Sequence, residues 1–303
     1  HRDLHLSLRR AASDVYKRQQ YGQRFLDSFA LRVDKRIQML CYAENCTPTN
    51  PDAQQIKIIN QTEVQPLMDF KTQWGNVPKA NGVCPFPEKR PRDHHKKFKW
   101  DAVRFAHKTF AVDHAIKNAG TDYVLWLDAD TYTFRPITKE FVVGLLPETK
   151  LVNFLGRGEK YPECGWECYN TKHTKLNQFK KYWTHMYIND TIFKELEWHD
   201  SYLFWQCVKR IAPDDGEDIG KGAGAKGHHV FINSVLGAYI DHMKGKRKVK
   251  GKSSKSDLRG DRHESYWQNV ESYDPFGGIK FDPKQAEDIV TVSYTHLTLP
   301  TKA

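Results

Sequence analysis

The sequence predicts an α/β protein whose mostly parallel sheet is covered by helices on both faces. Short apolar runs rich in β-branched residues alternate along the chain with segments in which apolar residues recur at helical spacing. This alternation is typical of parallel sheets, because a helix carries the chain back before the next parallel strand begins. With 39% hydrophobic residues, a chain of 303 residues can also bury a sizeable core.

The predicted elements follow one another in a regular order. Strands are expected over residues 36–45 and 56–60, and the proline-rich residues 71–97 are expected to form a long irregular excursion. The clearest helix covers residues 100–120, where Gly120 is placed to end it. The later predictions are a strand within residues 121–134, a strand over 150–156, a helix with Leu176, Phe179, Trp183 and Tyr187 on one face, a helix over 201–211, a glycine-rich loop over 214–227 and strand-like sequence over 228–242.

Both ends of the chain are set aside from the fold prediction. Residues 1–19 and 291–303 resemble translated adaptor sequence from library assembly, and the chain starts with His1 rather than Met. We therefore expect one domain over residues 20–290, with the native ends missing from the sequence.

Composition narrows the classes of protein to which the chain can belong. No stretch reaches the roughly 18 consecutive apolar residues of a membrane helix, so a soluble protein is expected. The six cysteines are scattered, which is typical of reduced thiols and favours a cytoplasmic location. The formal net charge is +10, and much of the basic surplus lies in residues 244–263, which favours an anionic partner such as phosphate, nucleic acid or a membrane surface.

The most informative stretch is the apolar strand that ends in Asp128 and Asp130. Residues two apart in a strand point to the same side, so both carboxylates can aim at one point. They follow the carboxyl end of the strand, where open α/β sheets bind their ligands. Adjacent carboxylates repel one another unless a cation lies beside them, and hard oxygen ligands select Mg²⁺ or Mn²⁺. The pattern predicts a divalent metal site, and the alternative is a capped turn in which both carboxylates bond backbone N–H groups.

The helix, strand and turn over residues 98–136 resemble the core of GT-A fold glycosyltransferases, in which a D-x-D motif holds a divalent cation on a nucleotide-sugar diphosphate. The resemblance extends in outline over residues 36–250. It implies a Rossmann-like GT-A fold, with Asp128 and Asp130 as metal ligands. It also implies an enzyme that transfers a sugar from a nucleotide-diphosphate sugar to a hydroxyl acceptor, which is left open among carbohydrates, lipids and proteins.

A second motif, "HMKGKRK", places His242, Gly245 and Lys248 in the pattern H-x-x-G-x-x-K. It is similar to a C-terminal motif of the glycogenin-like retaining family, although the Pro-Trp pair that follows the lysine there is replaced here by "VKG". The similarity implies that His242 completes the metal shell, while Gly245 and Lys248 contact the diphosphate. Imidazole is a good Mn²⁺ ligand, glycine lets the backbone approach phosphate and lysine neutralises it. The alternative is a surface histidine beside a solvated basic loop.

If His242 and Asp130 share one ion, their side-chain tips must lie close together. Ligand atoms lie about 2–2.5 Å from a bound ion, so we expect the two tips to approach within about 5 Å. The two residues lie in separate predicted elements, so this distance tests whether the two motifs form one site.

Four further residues are candidates for contacts with the nucleotide. Arg104 and Lys108 lie on neighbouring positions of the helix that precedes the D-x-D strand, where they can reach the nucleotide phosphates or base. Tyr42 and Glu44 close the first strand, where GT-A enzymes contact the nucleoside. The alternative for the two cations is a solvated helix face.

Asp200 and Glu163 are the candidates for catalysis. Asp200, in "EWHDSYLF", stands at a predicted helix start, where it is either an N-cap or the general base that an inverting transferase needs. Glu163, in "ECGWECYN", is the alternative base or a ligand of acceptor hydroxyls. A retaining transferase needs no base at this position, so the stereochemical outcome stays open.

Two other classes of protein stay open. A nucleotidyltransferase also holds metal and phosphate with carboxylates, but it usually has a glycine-rich basic signature after the first strand, where "CYAENCTPTNPD" has none. A nucleic-acid-binding protein would use residues 244–263. Aromatic residues do not interleave with the cations there, so we expect no specific recognition of nucleic acid.

Overall fold

A computed structural model of the protein describes residues 21–224, 229–245, 247–268 and 289–295. Its strands are Ile37–Ala43 (β1), Ile56–Asn60 (β2), Tyr123–Leu127 (β3), Thr131–Thr133 (β4), Val152–Arg157 (β5), Lys160–Asn170 (β6), Gly216–Asp218 (β7), Ile240–His242 (β8) and Ile289–Thr295 (β9). Its α-helices are residues 21–32 (α1), Gln65–Trp74 (α2), Ala102–Asn118 (α3), Lys139–Gly144 (α4), Leu176–Ile188 (α5), Asp200–Ile211 (α6), Val230–Asn233 (α7), Arg247–Lys250 (α8) and Ser265–Gln268 (α9).

Most of the strands form one mixed sheet in the order β2-β1-β9-β3-β6-β5-β7. β1 is parallel to β2 and β9, β3 is parallel to β9, and β5 is parallel to β7, whereas β6 is antiparallel to β3 and to β5. β4 and β8 form a separate antiparallel pair. The predicted α/β fold with a mostly parallel sheet is therefore confirmed, and the antiparallel strand β6 is a feature that the sequence did not predict.

Part of the C-terminal segment that was set aside takes a place in the sheet. Residues 291–295 belong to β9, which lies between β1 and β3 and is parallel to both. The sheet therefore extends beyond residue 290, where the domain was expected to end.

Side chains of β3 divide the core between the two faces of the sheet. Val124 and Trp126 pack in a buried cluster with residues of α2, α3, α5 and α6. Leu125 and Leu127 pack in a second cluster with residues of α1, α4, α7 and α9. Successive residues of a strand point to opposite faces, so one short strand contributes to both clusters and helices cover both faces.

The helix predicted over residues 100–120 is confirmed as α3. Asp101 caps its N-terminus by accepting a hydrogen bond from the backbone N–H of Arg104. Gly120 follows the helix with φ +62°, the left-handed conformation that glycine adopts readily at this position. The chain then enters β3 within three residues, so the end of α3 sets where β3 begins.

The strand predicted over residues 228–242 is wrong for most of its length. Val230–Asn233 form α7 and Val235–Ala238 form a 3₁₀ turn, so only β8 is a strand. Ser234 caps the turn by accepting a hydrogen bond from the N–H of Leu236. A short apolar run that is buried on all sides looks the same in sequence as a strand or a helix, which explains the error. Residues 225–228, which include the end of the predicted glycine-rich loop, lie outside the described residues.

A membrane-spanning helix is absent from the part of the chain that the structure describes, where every helix is too short or too polar.

Candidate metal centre

The end of β3 delivers two carboxylates to one point. Asp128 directly follows β3, and Asp130 lies in the tight turn that leads into β4. Thr131 closes this turn, because both its backbone N–H and its hydroxyl donate to the carbonyl of Asp128. The side chain of Asp130 is 11% exposed and that of Asp128 is 30% exposed, so Asp128 is partly accessible to solvent and Asp130 is largely buried.

β8 brings His242 to the same point, because Thr131 of β4 lies opposite His242 in the β4–β8 pair. The Nε2 atom of His242 lies 3.0 Å from Oδ1 of Asp130 and 3.5 Å from Oδ2 of Asp128. One ligand atom from each residue lies within 4.8 Å of the others, so the three can hold a metal ion. The predicted approach of His242 and Asp130 is confirmed, and the alternative of a surface histidine is wrong, because His242 is 1% exposed. We call these three residues the metal cluster.

Opposite charges hold the metal cluster together. Burial alone would raise the pKa of Asp130, but His242 and Lys248 outweigh it and hold that pKa well below its usual range. Burial alone would lower the pKa of His242, but the carboxylates of Asp130 and Glu163 raise it well above its usual value. The neighbouring charges therefore favour the protonated form of His242 and the ionised form of Asp130, with Lys248 as a further cation.

Lys248 binds the side of Asp130 that His242 leaves free. Its Nζ lies 2.6 Å from Oδ2 of Asp130, and its side chain is 31% exposed. Gly245 turns the chain from β8 towards α8 with φ +58°, a conformation that glycine adopts without steric cost. Both residues predicted to contact a diphosphate thus lie on the short segment that continues from the metal cluster.

Glu163, on β6, contacts the metal cluster through His242. Its Oε1 lies 3.5 Å from Nδ1 of His242 and accepts a hydrogen bond from Nζ of Lys244 at 2.7 Å. Its Oε2 is buried and has no hydrogen-bond partner among the described residues. The carboxylate therefore lies on the side of the His242 ring opposite to Asp128 and Asp130, the side from which outer partners of metal-bound histidines contact the ring.

Lys108 lies behind the metal cluster. Its buried Nζ donates to Oε1 of Glu167 at 2.8 Å and to the carbonyl of Cys164 at 2.5 Å, and it lies 4.9 Å from the centre of the Trp126 ring. Trp126 in turn donates its indole N–H to Oδ1 of Asp128 at 2.8 Å. The structure therefore places Lys108 in a buried ion pair, and not at a surface open to a nucleotide. Its connection to the metal ligands runs through Trp126, which orients Asp128.

The other three residues expected at the nucleotide lie on the same side of the sheet as α3 or at the end of β1. Tyr42 is fully buried, and its hydroxyl shares a hydrogen bond of 2.7 Å with Nδ1 of His114. Glu44 is largely buried and forms an ion pair with Lys71. Arg104 is exposed on α3. Of these three residues, only Arg104 has a solvent-exposed side chain. Its position agrees with the alternative interpretation, in which it lies on a solvated helix face.

Asp200 is the first residue of α6. Its Oδ2 lies 3.7 Å from Nζ of Lys108, and its side chain is 20% exposed. The alternative that Asp200 is the N-cap is wrong, because His199 holds that position and accepts from the N–H of Tyr202 at 3.4 Å. Asp200 instead accepts from the N–H of Ser201 at 2.8 Å. One carboxylate oxygen is thus held near Lys108 at the edge of the protein.

Glu197 lies close to Asp200 in sequence and binds side chains of the irregular excursion and of the segment that follows it. The sequence did not indicate this role. Glu197 accepts hydrogen bonds from Lys99 at 2.8 Å, from Nε2 of His199 at 2.8 Å and from Arg90. Burial alone would raise the pKa of Glu197, but His199, Lys99 and Arg90 lower it to about 2. Lys99 and Arg90 are 98 and 107 residues away from Glu197 in sequence, so no local sequence pattern predicts these ion pairs.

We expect Glu197→Gln to lower the free energy of unfolding by about 3 kcal/mol, the range for removing one partner of a buried ion pair. The folded pKa of about 2 lies below the usual 4.5, so this stabilisation is present above pH 4.5 and is lost as the pH falls towards 2. Urea unfolding of both proteins at a series of pH values measures the difference. Glu88→Gln, at an exposed position of the same excursion, is the control. A difference that does not shrink at low pH would contradict the assignment.

Several cations of the basic segment 244–263 form ion pairs with carboxylates of the protein itself. Those that pair with carboxylates are Lys244 with Glu163, Arg247 with Asp257, Lys248 with Asp130 and Arg262 with Glu264. A nucleic-acid surface needs cations that can face successive phosphates. The described part of the segment therefore offers fewer such cations than its sequence indicates.

Comparison with models of known protein families, with curated proteins and with solved structures gave no match for this chain. Its function must therefore be inferred from the chemistry of the site itself.

Proposed function

We propose that the protein is a metal-dependent glycosyltransferase of the GT-A fold, which transfers a sugar from a nucleotide-diphosphate sugar to a hydroxyl acceptor. The observation that carries the proposal is the metal cluster, in which Asp128, Asp130 and His242 converge at the carboxyl end of β3. Open α/β sheets bind ligands at this edge, and two carboxylates with one imidazole suit Mn²⁺ or Mg²⁺.

A bound divalent ion supplies positive charge that stabilises the departing nucleoside diphosphate. The protein adds Lys248, whose ammonium now lies against Asp130. When Asp130 serves as a metal ligand, Lys248 loses that partner and can pair with a phosphate oxygen instead. The turn at Gly245 lies between β8 and Lys248 and lets the backbone of this segment approach the diphosphate.

Asp200 is the residue that would act on the acceptor hydroxyl. Lys108 and Trp126 lie between it and the metal cluster, so Asp200 is set apart from the metal ligands but connected to them through packed side chains. A carboxylate in that position can take the proton of the acceptor hydroxyl as the sugar is transferred.

A thermal-shift screen of UDP-, GDP-, CMP- and dTDP-sugars, with and without Mn²⁺, tests the proposal. One class of nucleotide sugar should stabilise the protein only when Mn²⁺ is present, by about 2.7 kcal/mol at a concentration 100 times its dissociation constant. Equal stabilisation after treatment with a chelator would contradict the role of the metal. Stabilisation by nucleoside triphosphates but by no nucleotide sugar would favour a nucleotidyltransferase.

We expect Lys248→Gln to change metal binding and nucleotide binding in opposite directions. Without nucleotide, Mn²⁺ should bind about 10-fold more tightly, because the ammonium no longer competes for Oδ2 of Asp130 or repels a cation. With Mn²⁺ present, the nucleoside diphosphate should bind about 10- to 100-fold more weakly, because a charge-assisted contact is lost. Isothermal titration calorimetry measures both constants.

Lys250→Gln is the matched control, because Lys250 is an exposed lysine of the same short helix. It should change neither constant beyond a small screening effect. Lys248→Gln could instead weaken the binding of both Mn²⁺ and the nucleoside diphosphate, or leave the affinity for Mn²⁺ unchanged. Either result would show that Lys248 does not exchange its contact with Asp130 for a contact with the diphosphate.

A further inference from the structure

A polar cavity of about 310 Å³ borders the metal cluster. Most of its lining is charged or ionisable and comes from Arg157, Glu163, His229, Lys244, Arg247 and Asp257. The volume is at the small end of the range for ligand sites, so the cavity suits a single sugar ring and not a whole nucleotide sugar. The side chains of Lys244 and Arg247 are 39% and 34% exposed, so the cavity opens to solvent on their side.

The imidazole of His242 lies between this cavity and the other two metal ligands. Its Nε2 faces Asp128 and Asp130, whereas its Nδ1 faces Glu163, which lines the cavity. The imidazole of His242 and the carboxylate of Glu163 thus separate the cavity from the metal position. In a nucleotide sugar, the sugar is attached directly to the diphosphate, so a diphosphate at the metal and a sugar in this cavity can belong to one donor molecule.

Glu163 provides an unsatisfied hydrogen-bond acceptor at the cavity. Its side chain is 4% exposed, and its Oε2 has no partner among the described residues. A buried acceptor without a donor costs about 1–3 kcal/mol, so such atoms are usually satisfied by water or by a ligand. Sugar hydroxyl groups are suitable donors for this oxygen.

Arg157 provides an unneutralised cation at the same cavity. Its Nε donates to the carbonyl of Tyr161 at 2.6 Å and its Nη2 donates to the carbonyl of Pro162 at 3.0 Å. These bonds orient the guanidinium without cancelling its charge, and no carboxylate of the described residues lies within ion-pair distance of it. By contrast, Lys244 and Arg247 are each paired with a carboxylate. An oriented guanidinium matches the planar shape of a carboxylate.

We propose that this cavity binds the sugar of the donor, and that the sugar carries a carboxylate, as a hexuronic acid does. Its hydroxyl groups donate to Oε2 of Glu163, and its carboxylate pairs with Arg157. A neutral hexose satisfies only the first of these two groups and leaves the guanidinium unpaired. The inference rests on the proposed glycosyltransferase function, and it specifies the class of donor.

Pairs of donors that differ only at carbon 6 of the sugar test this inference. The pairs are UDP-glucose and UDP-glucuronate, UDP-galactose and UDP-galacturonate, and GDP-mannose and GDP-mannuronate, each titrated calorimetrically in the presence of Mn²⁺. In one pair, the acidic member should bind about 10- to 100-fold more tightly, the range for a charge-assisted bidentate contact. Arg157→Gln should bring this ratio close to one while the neutral member binds as before.

Arg135→Gln is the matched control, because Arg135 is an exposed arginine that also donates to a backbone carbonyl, that of Ala238, but does not line the cavity. It should keep the preference for the acidic sugar. Arg157→Lys keeps the charge without the fork and should lose most of the preference, which provides a second variant if the Gln protein does not fold.

The outcomes separate this inference from the proposed function. If a neutral donor binds with Mn²⁺ at least as tightly as its acidic partner, or if Arg157→Gln leaves the ratio unchanged, then the acidic-sugar assignment is overturned while the glycosyltransferase proposal stands. If no member of any pair binds with Mn²⁺, the proposed function fails for these nucleotides and the inference fails with it.

Discussion

Replacing Asp200 with Asn is expected to slow sugar transfer by about 10²- to 10⁴-fold, the contribution of a general base, while the donor binds as tightly as in the native protein. Asn has the same shape as Asp but cannot accept the proton of the acceptor hydroxyl. The donor should be unaffected, because Asp200 is separated from the metal ligands by Lys108 and Trp126. Initial rates with saturating donor, together with donor titrations, separate the two effects.

A structural role for Asp200 would have a different signature. The carboxylate accepts from the N–H of Ser201 at 2.8 Å, and the side-chain oxygen of Asn can keep that bond. The melting temperature should therefore change little, and Asp214→Asn, at an exposed position beyond the end of α6, serves as the control. Normal turnover of Asp200→Asn would exclude Asp200 as the base. That result would favour a retaining mechanism, or Glu163 as the residue that meets the acceptor.

Asp130→Asn is expected to weaken Mn²⁺ binding by at least about 100-fold, because loss of a metal ligand should exceed the 10- to 100-fold effect of losing an outer partner. Asp130 is the carboxylate most involved in the metal cluster, since it lies 3.0 Å from His242 and 2.6 Å from Lys248. Its amide has no charge to balance either cation or a divalent ion. The affinity for nucleotide sugars should fall to the value that the native protein shows after chelation.

Electron paramagnetic resonance of Mn²⁺ measures the affinity for the ion. Calorimetry with and without Mn²⁺ measures the affinity for nucleotide sugars. Asp122→Asn is a suitable control, because Asp122 precedes the opposite end of β3 and is 44% exposed in an ion pair with Lys172. Circular dichroism shows whether Asp130→Asn keeps the fold. If the native protein bound nucleotide sugars equally well with and without a chelator, the metal cluster would have no part in donor binding.

Much of the metal cluster could be read from the sequence, because its parts are local. Asp128 and Asp130 are two residues apart on one strand, and the preceding helix has both its cap, Asp101, and its end, Gly120, in its own sequence. The spacing of His242 and Lys248 within one short motif likewise placed both on the same segment. The repeat of side-chain directions along a strand, the capping of a helix and the spacing of residues within a motif depend only on neighbours in sequence. These features can therefore be predicted from the order of residues.

Other parts of the site depend on which strands become neighbours. β6 carries Glu163 to His242 and Glu167 to Lys108, although the members of these pairs are 79 and 59 residues apart in sequence. The sequence predicted no strand over the segment of β6, and the prediction set aside residues that the structure places in β9. β6 does not show the regular alternation that predicts a half-buried strand, because nearly all of its side chains are buried, on both faces of the sheet.

Arg104 and Lys108 show most clearly which features the sequence determines and which depend on the tertiary structure. They lie one turn apart on the same side of α3, so helical spacing assigns both to one environment. The structure leaves Arg104 exposed but buries Lys108 against Glu167 and the ring of Trp126. The sequence by itself determined that the helix forms and which residues share a side. Only the tertiary structure decided that β6 covers one of the two positions, because burial depends on what packs against a helix and not on the helix alone.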